Sequence, residues 1–381
     1  MGGNPTLLED RVFDEVKRLC YSGLDGTTLV SEAVKRLQRV VPFEAYCALT
    51  MDPLSGLLMH ARAEEMGDEE EAHVFLERVY FEEGANDYRS LARSRRRTSL
   101  LSEATGGKLE RSVRYRELTG PLGHAHELRG VFTVGRDLWG ASELTRERGR
   151  PDFTPREVAL LYRVAPHLGA GLRAAALSSE STREPEGQEA SGVLVLDERG
   201  RAIRYTRSAE RWLLELEDAG SGWGEGGGPA AWREGRGFPA AVWNVVGALR
   251  RALDPETINE RANVPNVCVR TRGGRWLTLQ AALSEPQLDG RRETIIIIEP
   301  AGPKEMAWLQ TAAYGLSSRE RDIVELVVRG APTKQIAAAL YISEYTVQKH
   351  LSNVFEKVGV RNRQALVQRL FFDNVYPTLF T

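Results

Sequence analysis

Cysteine, histidine and long apolar runs are all scarce in this chain. Three cysteines, Cys20, Cys47 and Cys268, are spread over 381 residues. An odd, widely spaced set excludes a disulfide framework and fits the reduced thiols of the cytoplasm. Three thiolates also fall short of a four-cysteine iron–sulfur site. No apolar run approaches the ~18 residues of a membrane span. The opening MGGNPTLLEDRVFDEVKRL lacks the basic-then-apolar pattern of a secretion signal. The expectation is a cytoplasmic protein with no membrane partner. The six histidines stand at positions 60, 73, 124, 126, 167 and 350, without H-E-x-x-H spacing and with none between 191 and 300. That excludes histidine-ligated haem from the middle of the chain. His124 and His126 would share one face of a strand, either as a metal pair or as an ordinary surface pair. There is no phosphate-cradling G-x-x-x-x-G-K, no G-x-S-x-G and no paired acidic metal motif. The chain therefore offers no chemistry for an enzyme, and neither catalysis nor a cofactor is expected.

What is present is ordinary globular material, 42% hydrophobic and 27% charged, with a net charge of −2. One stretch departs from that balance. Between Leu316 and Phe372 there are nine Lys or Arg against five Asp or Glu, a local charge of about +4. The same stretch is densely patterned. Ser317 and Glu320 form an S-x-x-E capping box before a helix over Ser318–Arg329, which Gly330 ends. Thr333 can cap a short helix over Lys334–Leu340, with Ile336, Ala337 and Leu340 inward. Tyr341 and Ile342 alone separate it from Ser343, the cap of a third helix. There Val347, Leu351, Val354 and Val358 recur at helical spacing, and Gly359 marks the stop. Tyr345, Gln348, Lys349, Ser352 and Asn353 share the opposite face. Two helices joined by a very short turn and braced by a third describe a helix-turn-helix.

The run LSSRERDIVELVVRGAPTKQIAAALYISEYTVQKHLSNVFEKVGVRNR resembles the LuxR-type (NarL- or GerE-like) DNA-binding domain near-continuously, over roughly the last sixth of the chain. The resemblance implies a four-helix domain whose third helix reads the major groove and whose fourth, here Arg361–Phe372, contributes to dimerisation. It places Gln348, Lys349 and Ser352 toward base edges, Lys334 on a phosphate, and Thr346 and Asn353 on the backbone. Lys357, Arg361 and Arg363 lie where a phosphate backbone would pass, with a solvated face as the alternative. Two positions depart from the family pattern. Ser318 replaces a common Pro, and Gln348 replaces a common Lys, exchanging a guanine-preferring cation for a group suited to adenine.

Upstream, two helices are expected over Leu7–Leu19 and from Thr27 or Thr28 to Val41. Strands follow at Phe43–Met51 and Leu57–Ala63, then a helix over Asp68–Phe81. A long polar stretch runs from Asn86 to Arg116. Strands at Glu127–Val134 and Leu138–Leu144 precede a long helix opened by Thr154-Pro155-Arg156-Glu157 and bent at Pro166. This order, with the segment GRDLWGASELTRERGRPDFTPREVALLYRVAPHLGAGLRAA, resembles a GAF domain, which implies a pocket between sheet and helical insert. The polar SSESTREPEGQEAS reads as a linker. SGVLVLDERGRAIRYTRSAERWL and the later strands, including Ile295–Ile298 as a fully buried run, resemble a PAS domain. The domain reading is therefore 6–177 GAF-like, 178–190 linker, 191–300 PAS-like, 301–315 coupling helix and 316–381 helix-turn-helix. The fold class is multidomain α+β, two antiparallel-sheet modules followed by an all-α reader. The function expected is sequence-specific transcription regulation by the helix 344–357, as a homodimer on double-stranded DNA. RNA polymerase is a further partner if the protein activates, and a small-molecule effector is a candidate for the GAF-like or PAS-like module. N-terminal modules that only make protein contacts stay open as an alternative, as does, more remotely, an enzyme with a regulatory tail.

Overall fold

A computed structural model describes residues 5–67, 73, 75–81, 86–94, 96–177, 190–216, 227–253, 264–287 and 290–372. The chain divides into two compact units, one holding nearly all residues up to Pro300 and the other the chain from Ala301 onward.

The first unit contains two five-stranded antiparallel sheets. Strands β1 (Ala45–Met51), β2 (Leu58–Glu64), β3 (Thr98–Leu100), β4 (His124–Val134) and β5 (Asp137–Glu147) form the first, in the order β2-β1-β5-β4-β3. Strand β1, AYCALTM, is buried along its whole length because β2 and β5 flank it and the helix Gly26–Leu37 covers it. That helix is capped by Asp25, whose carboxylate accepts from the Thr28 N–H at 3.0 Å, and not by the expected Thr27 or Thr28. The long helix Pro155–Leu177 opens where expected, with a reciprocal Thr154–Glu157 capping box. It lies close on β4 through Gly169, where a Cβ would meet the Thr133 carbonyl oxygen at 2.8 Å.

The polar stretch 86–116 is more structured than its composition suggests, with short helices at Tyr88–Arg93 and Leu101–Thr105 on either side of β3. It delivers Arg114 and Tyr88 to a fully buried cluster on the first sheet. Glu143 accepts from Arg114 Nη2 and, at 3.0 Å, from the Tyr88 hydroxyl, and lies 3.3 Å from Arg129 Nη2. Glu127 pairs with Arg129 at 2.9 Å and Arg114 at 3.3 Å, and accepts from Asn86 Nδ2 at 2.9 Å. The guanidinium groups also sit over the Phe75 and Tyr88 rings, at 4.3 and 4.2 Å. Burial raises the Glu127 carboxyl, and burial together with Glu143 pushes the Tyr88 hydroxyl well above its ordinary value. The cluster thus holds two carboxylates and two guanidinium groups, four charges that sum to zero. Cys20 and Cys47 are buried as expected, and burial pushes the Cys20 thiol up to about 12.

Strands β6 (Gly192–Leu196), β7 (Ala202–Tyr205), β8 (Asn266–Arg270), β9 (Trp276–Leu283) and β10 (Thr294–Pro300) form the second sheet, in the order β7-β6-β10-β9-β8. The helices Arg207–Leu216 and Ala240–Ala252 cover its inner face. The isoleucine run in β10 is not buried throughout. Ile296 and Ile298 are fully buried, whereas Ile297 is 37% exposed. Residues alternate across a strand covered on one face, so every second isoleucine faces out.

The two sheets share this first unit. Asn244, fully buried on the helix Ala240–Ala252, accepts from the Leu58 N–H at 2.8 Å and donates to the Leu76 carbonyl at 3.0 Å. Asp52, in the β1–β2 turn, accepts from the Cys268 N–H at 3.3 Å. Residues 178–189 of the expected linker and 68–72 and 74 of the expected Asp68–Phe81 helix lie outside the described residues.

In the second unit, helices Ser318–Val328, Thr333–Ala339, Glu344–Val358 and Arg363–Val367, the last continued by a turn to Phe372, close around one core. Leu316, Ile323, Ile336, Val347, Leu351 and Leu370 are among its buried members. The helix Pro303–Ala313 packs on the closing turn of this unit.

Candidate nucleic-acid interface

The helix Ser318–Val328 is tied at its start by both bonds of the expected capping box. Ser317 Oγ accepts from the Glu320 N–H at 3.3 Å and the Glu320 carboxylate from the Ser317 N–H at 2.7 Å. The next helix differs from expectation at its cap. Pro332 occupies the extended N-cap position with no side-chain cap, and Thr333 begins the helix. Freed from capping, the Thr333 hydroxyl accepts from Gln348 Nε2 at 3.3 Å, joining this helix to the next. The turn between them is short because Tyr341 takes a left-handed conformation, φ +55°. Such a conformation is uncommon in a residue with a side chain. The Ile342 N–H then returns to the Ala337 carbonyl at 3.0 Å.

Ser343 caps the helix Glu344–Val358 as expected, accepting from the Thr346 N–H at 3.1 Å, and Gly359 ends it at φ +74°. Val347, Leu351, Val354 and Val358 are buried. Gln348, Lys349, Ser352 and Asn353 are exposed along the opposite side, with Thr346 half-buried at the leading end. Ser352 spends its hydroxyl proton on the Gln348 carbonyl at 3.1 Å. Lys334 is exposed on the preceding helix. The structure thus brings the first six predicted residues onto one side of two adjoining helices. Two exposed aromatics accompany them, Tyr345 (79% exposed), expected on this face but given no role, and Tyr341 (95%), expected only as part of the turn.

Two predicted residues sit differently. Lys357 Nζ lies 2.7 Å from Glu320 Oε2 and donates to the Gly315 carbonyl at 3.3 Å, so its charge is answered inside the unit. Burial works against ionisation of Glu320, but Lys357 and the Ser317 cap outweigh it and hold the carboxyl below its ordinary range. Arg361 is exposed but precedes the fourth helix, which starts at Arg363 and not at Arg361. Asn362 is the cap, its Oδ1 accepting from the Ala365 N–H at 2.8 Å. Arg363 turns inward to the Val327 and Ala331 carbonyls.

His124 lies 3.3 Å from the Glu65 carbonyl and His126 lies 3.6 Å from Asp152. Among the described residues no group of three or more His, Cys, Asp or Glu can hold a metal ion, and no helix is long and apolar enough to cross a membrane.

The model of the family described as bacterial regulatory proteins, luxR family, matches residues 314–370, which are the four helices just described. The spore germination protein GerE of Bacillus subtilis (strain 168) is 50% identical over 56 residues, 14% of this chain and 76% of GerE. The chain belongs to the LuxR family of bacterial regulatory proteins. It is a LuxR-type DNA-binding transcriptional regulator. The family match is confined to the second unit. The transcriptional regulatory protein UhpA of Escherichia coli (strain K12) is 43% identical over 56 residues, 15% of this chain but only 29% of UhpA. Against the solved complex of VqmA from Vibrio cholera with ligand and DNA, the identity is 18% and the TM-score 0.23, over 50% of this chain and 86% of that one. A score that low assigns nothing to the sheets of this LuxR-family chain.

Proposed function

We propose that this regulator reads DNA as a homodimer, with the helix Glu344–Val358 in the major groove and the first unit, GAF-like and PAS-like in its order of elements, controlling it in response to a signal. One observation carries the proposal: an exposed polar side of that helix, bearing Gln348, Lys349, Ser352 and Asn353, lies opposite four buried valine and leucine side chains. Gln348 and Lys349 carry the hydrogen-bonding groups that discriminate base edges. Lys334, Thr346 and Arg361 are assigned to phosphates, which position the protein without reading sequence. Lys357 is left out, because Glu320 already engages it. If the protein activates, RNA polymerase is its further partner.

The test is selection of DNA fragments from a genomic pool by the purified full-length chain, in parallel with Lys349→Ala. Enrichment of a two-fold symmetric motif by the parent and its loss in the variant is the expected outcome. An asymmetric motif defeats the dimer reading, and a motif that survives in Lys349→Ala defeats the assigned reading helix.

A further inference from the structure

A feature of the first unit that DNA reading does not use is a cavity of about 360 Å³ at the junction of its two sheets. It lies within the size range of small-molecule sites. From the first sheet and its helices it is lined by Thr50, Arg62, Trp139 and Leu172, and from the second sheet's side by Leu216, Arg270 and Trp276. Neither sheet alone encloses it. Its lining includes none of Arg114, Glu127, Arg129 and Glu143, the charged residues of the buried network.

Two properties of the lining point to an occupant. Thr50, Trp139 and Trp276 are 4%, 1% and 9% exposed, yet among the described residues Thr50 Oγ1 and both indole Nε1 atoms have no hydrogen-bond partner. Arg62 Nε is buried and unpartnered as well. Buried polar groups in native proteins are almost always satisfied, so several orphans on one cavity call for a ligand or solvent. An indole offers only a donor, and so does a guanidinium. The second property is charge. Arg62, Arg270 and Arg272 face a single carboxylate, Asp25, which is already engaged in capping the helix Gly26–Leu37. Among the described residues Arg270 donates to the Ala175 and Gly274 carbonyls, at 3.3 and 3.4 Å, and Arg62 lies 3.7 Å from Glu64. Donors and cations in excess select an acceptor-rich anion. The two indoles with Met59, Leu172 and Leu216 select a flat apolar body.

We infer that this cavity binds a small aromatic carboxylate, the carboxylate held by Arg270 and the Trp276 indole N–H and the ring placed against Trp139 and Leu172. The inference rests on the signal-sensing reading above and gives it a place and a ligand class. Because the lining comes from both sheets, an occupant would tie them together.

The full-length chain is titrated calorimetrically with benzoate, salicylate, 4-hydroxybenzoate, indole-3-acetate and 1-naphthoate, each alongside its neutral amide. At least one carboxylate is expected to bind once per chain with Kd below about 1 mM and at least about tenfold more tightly than its amide. Arg270→Gln and Trp276→Phe, checked for folding by circular dichroism and thermal melting, are each expected to weaken it by about tenfold. Absence of saturable binding by all five overturns the inference. So does equal binding of acid and amide, or binding unchanged in both folded variants. DNA affinity measured with and without the bound carboxylate is a separate readout. Carboxylate binding without any change in DNA affinity supports the site and defeats the control reading alone.

Discussion

Removing the Glu143 carboxylate should be among the most costly single changes in the first unit. Glu143 is fully buried, and its oxygens serve Arg114, Arg129 and the Tyr88 hydroxyl. With Glu127 present the cluster has two guanidinium groups and two carboxylates, hence no net charge. Glu143→Gln leaves two cations facing one anion in an interior that solvates neither. Breaking a buried ion pair from one side costs about 3–5 kcal/mol, because the surviving charge is stranded. Against a typical total of about 5–15 kcal/mol, that is about a fifth of the stability or more. At about 2–4 °C per kcal/mol for a domain of this order of size, melting should fall by about 6–20 °C. The comparison that isolates the mechanism is Arg114→Met with Glu143→Leu. This pair keeps Arg129 with Glu127 and restores neutrality, so it should recover at least half of the loss seen in the single variant. Calorimetry and urea unfolding followed by tryptophan fluorescence provide both numbers. A loss under about 1 kcal/mol for Glu143→Gln, or a double variant no more stable than the single, would refute the buried-network reasoning.

The Glu320 carboxyl titrates below its ordinary range when folded, so the stability it contributes is present above its unfolded pKa and lost as pH falls through the folded value. Melting of the second unit should therefore drop with acid in the parent and less steeply in Glu320→Gln; identical profiles from pH 7 to 3 would exclude this group. Asn244→Leu strands the Leu58 N–H and the Leu76 carbonyl, at about 1–3 kcal/mol each. It should lower melting and increase protease cleavage of the first unit, and an unchanged melting temperature would contradict the bridging role. Lys334→Ala should weaken binding to every DNA sequence alike, measured by fluorescence anisotropy on specific and random duplexes, whereas selective loss on the specific duplex would make Lys334 a base reader.

Helix starts were the most legible features, because a cap is a local object. The Ser317–Glu320 and Thr154–Glu157 boxes and the Ser343 cap form where their spelling places them. Two caps, Thr27 or Thr28 for Asp25 and Thr333 for Pro332, and the start of the fourth helix, Arg361 for Arg363, were placed a residue or more off for one cause. Adjacent residues can all cap, and which one does depends on the backbone that tertiary packing imposes. The reading face was legible for the same local reason, since the four buried apolar residues of Glu344–Val358 determine which side chains stand opposite. Lys357 was not, because its partner Glu320 is 37 residues away on another helix. The charge network and the cavity were invisible for that reason too. Arg114 looks like loop surface until β4 and β5 bring Glu127 and Glu143 to it. Thr50 and Trp276 share a cavity only because the two sheets meet. In Ile295–Ile298 four apolar residues in a row are compatible with burial on one face or both, and only the packed layers decide.

Ion pairs inside the second unit also set how strongly DNA binding should depend on salt. Counting every Lys and Arg between Leu316 and Phe372 would suggest nine cations. The structure answers several of them internally. Lys357 pairs with Glu320, Arg329 with Glu325 and Arg319 with Asp322, and Arg363 is spent on backbone carbonyls. Among the described residues Lys334, Lys349 and Arg361 are exposed and have no ion pair. Each phosphate neutralised contributes about −0.9 to the slope of log K against log salt. With Lys349 on a base edge, the two phosphate-facing cations give about −2 for one chain and about −4 for a two-fold pair, whereas nine would give about −8 for one chain alone. Affinity for a selected duplex, measured by anisotropy across several salt concentrations, separates these values. A slope near −4 with a two-chain complex agrees with Lys334 and Arg361 as the phosphate contacts. A slope of −8 or steeper per chain would mean that the internal pairs break on DNA, and that Lys357 belongs to the interface after all.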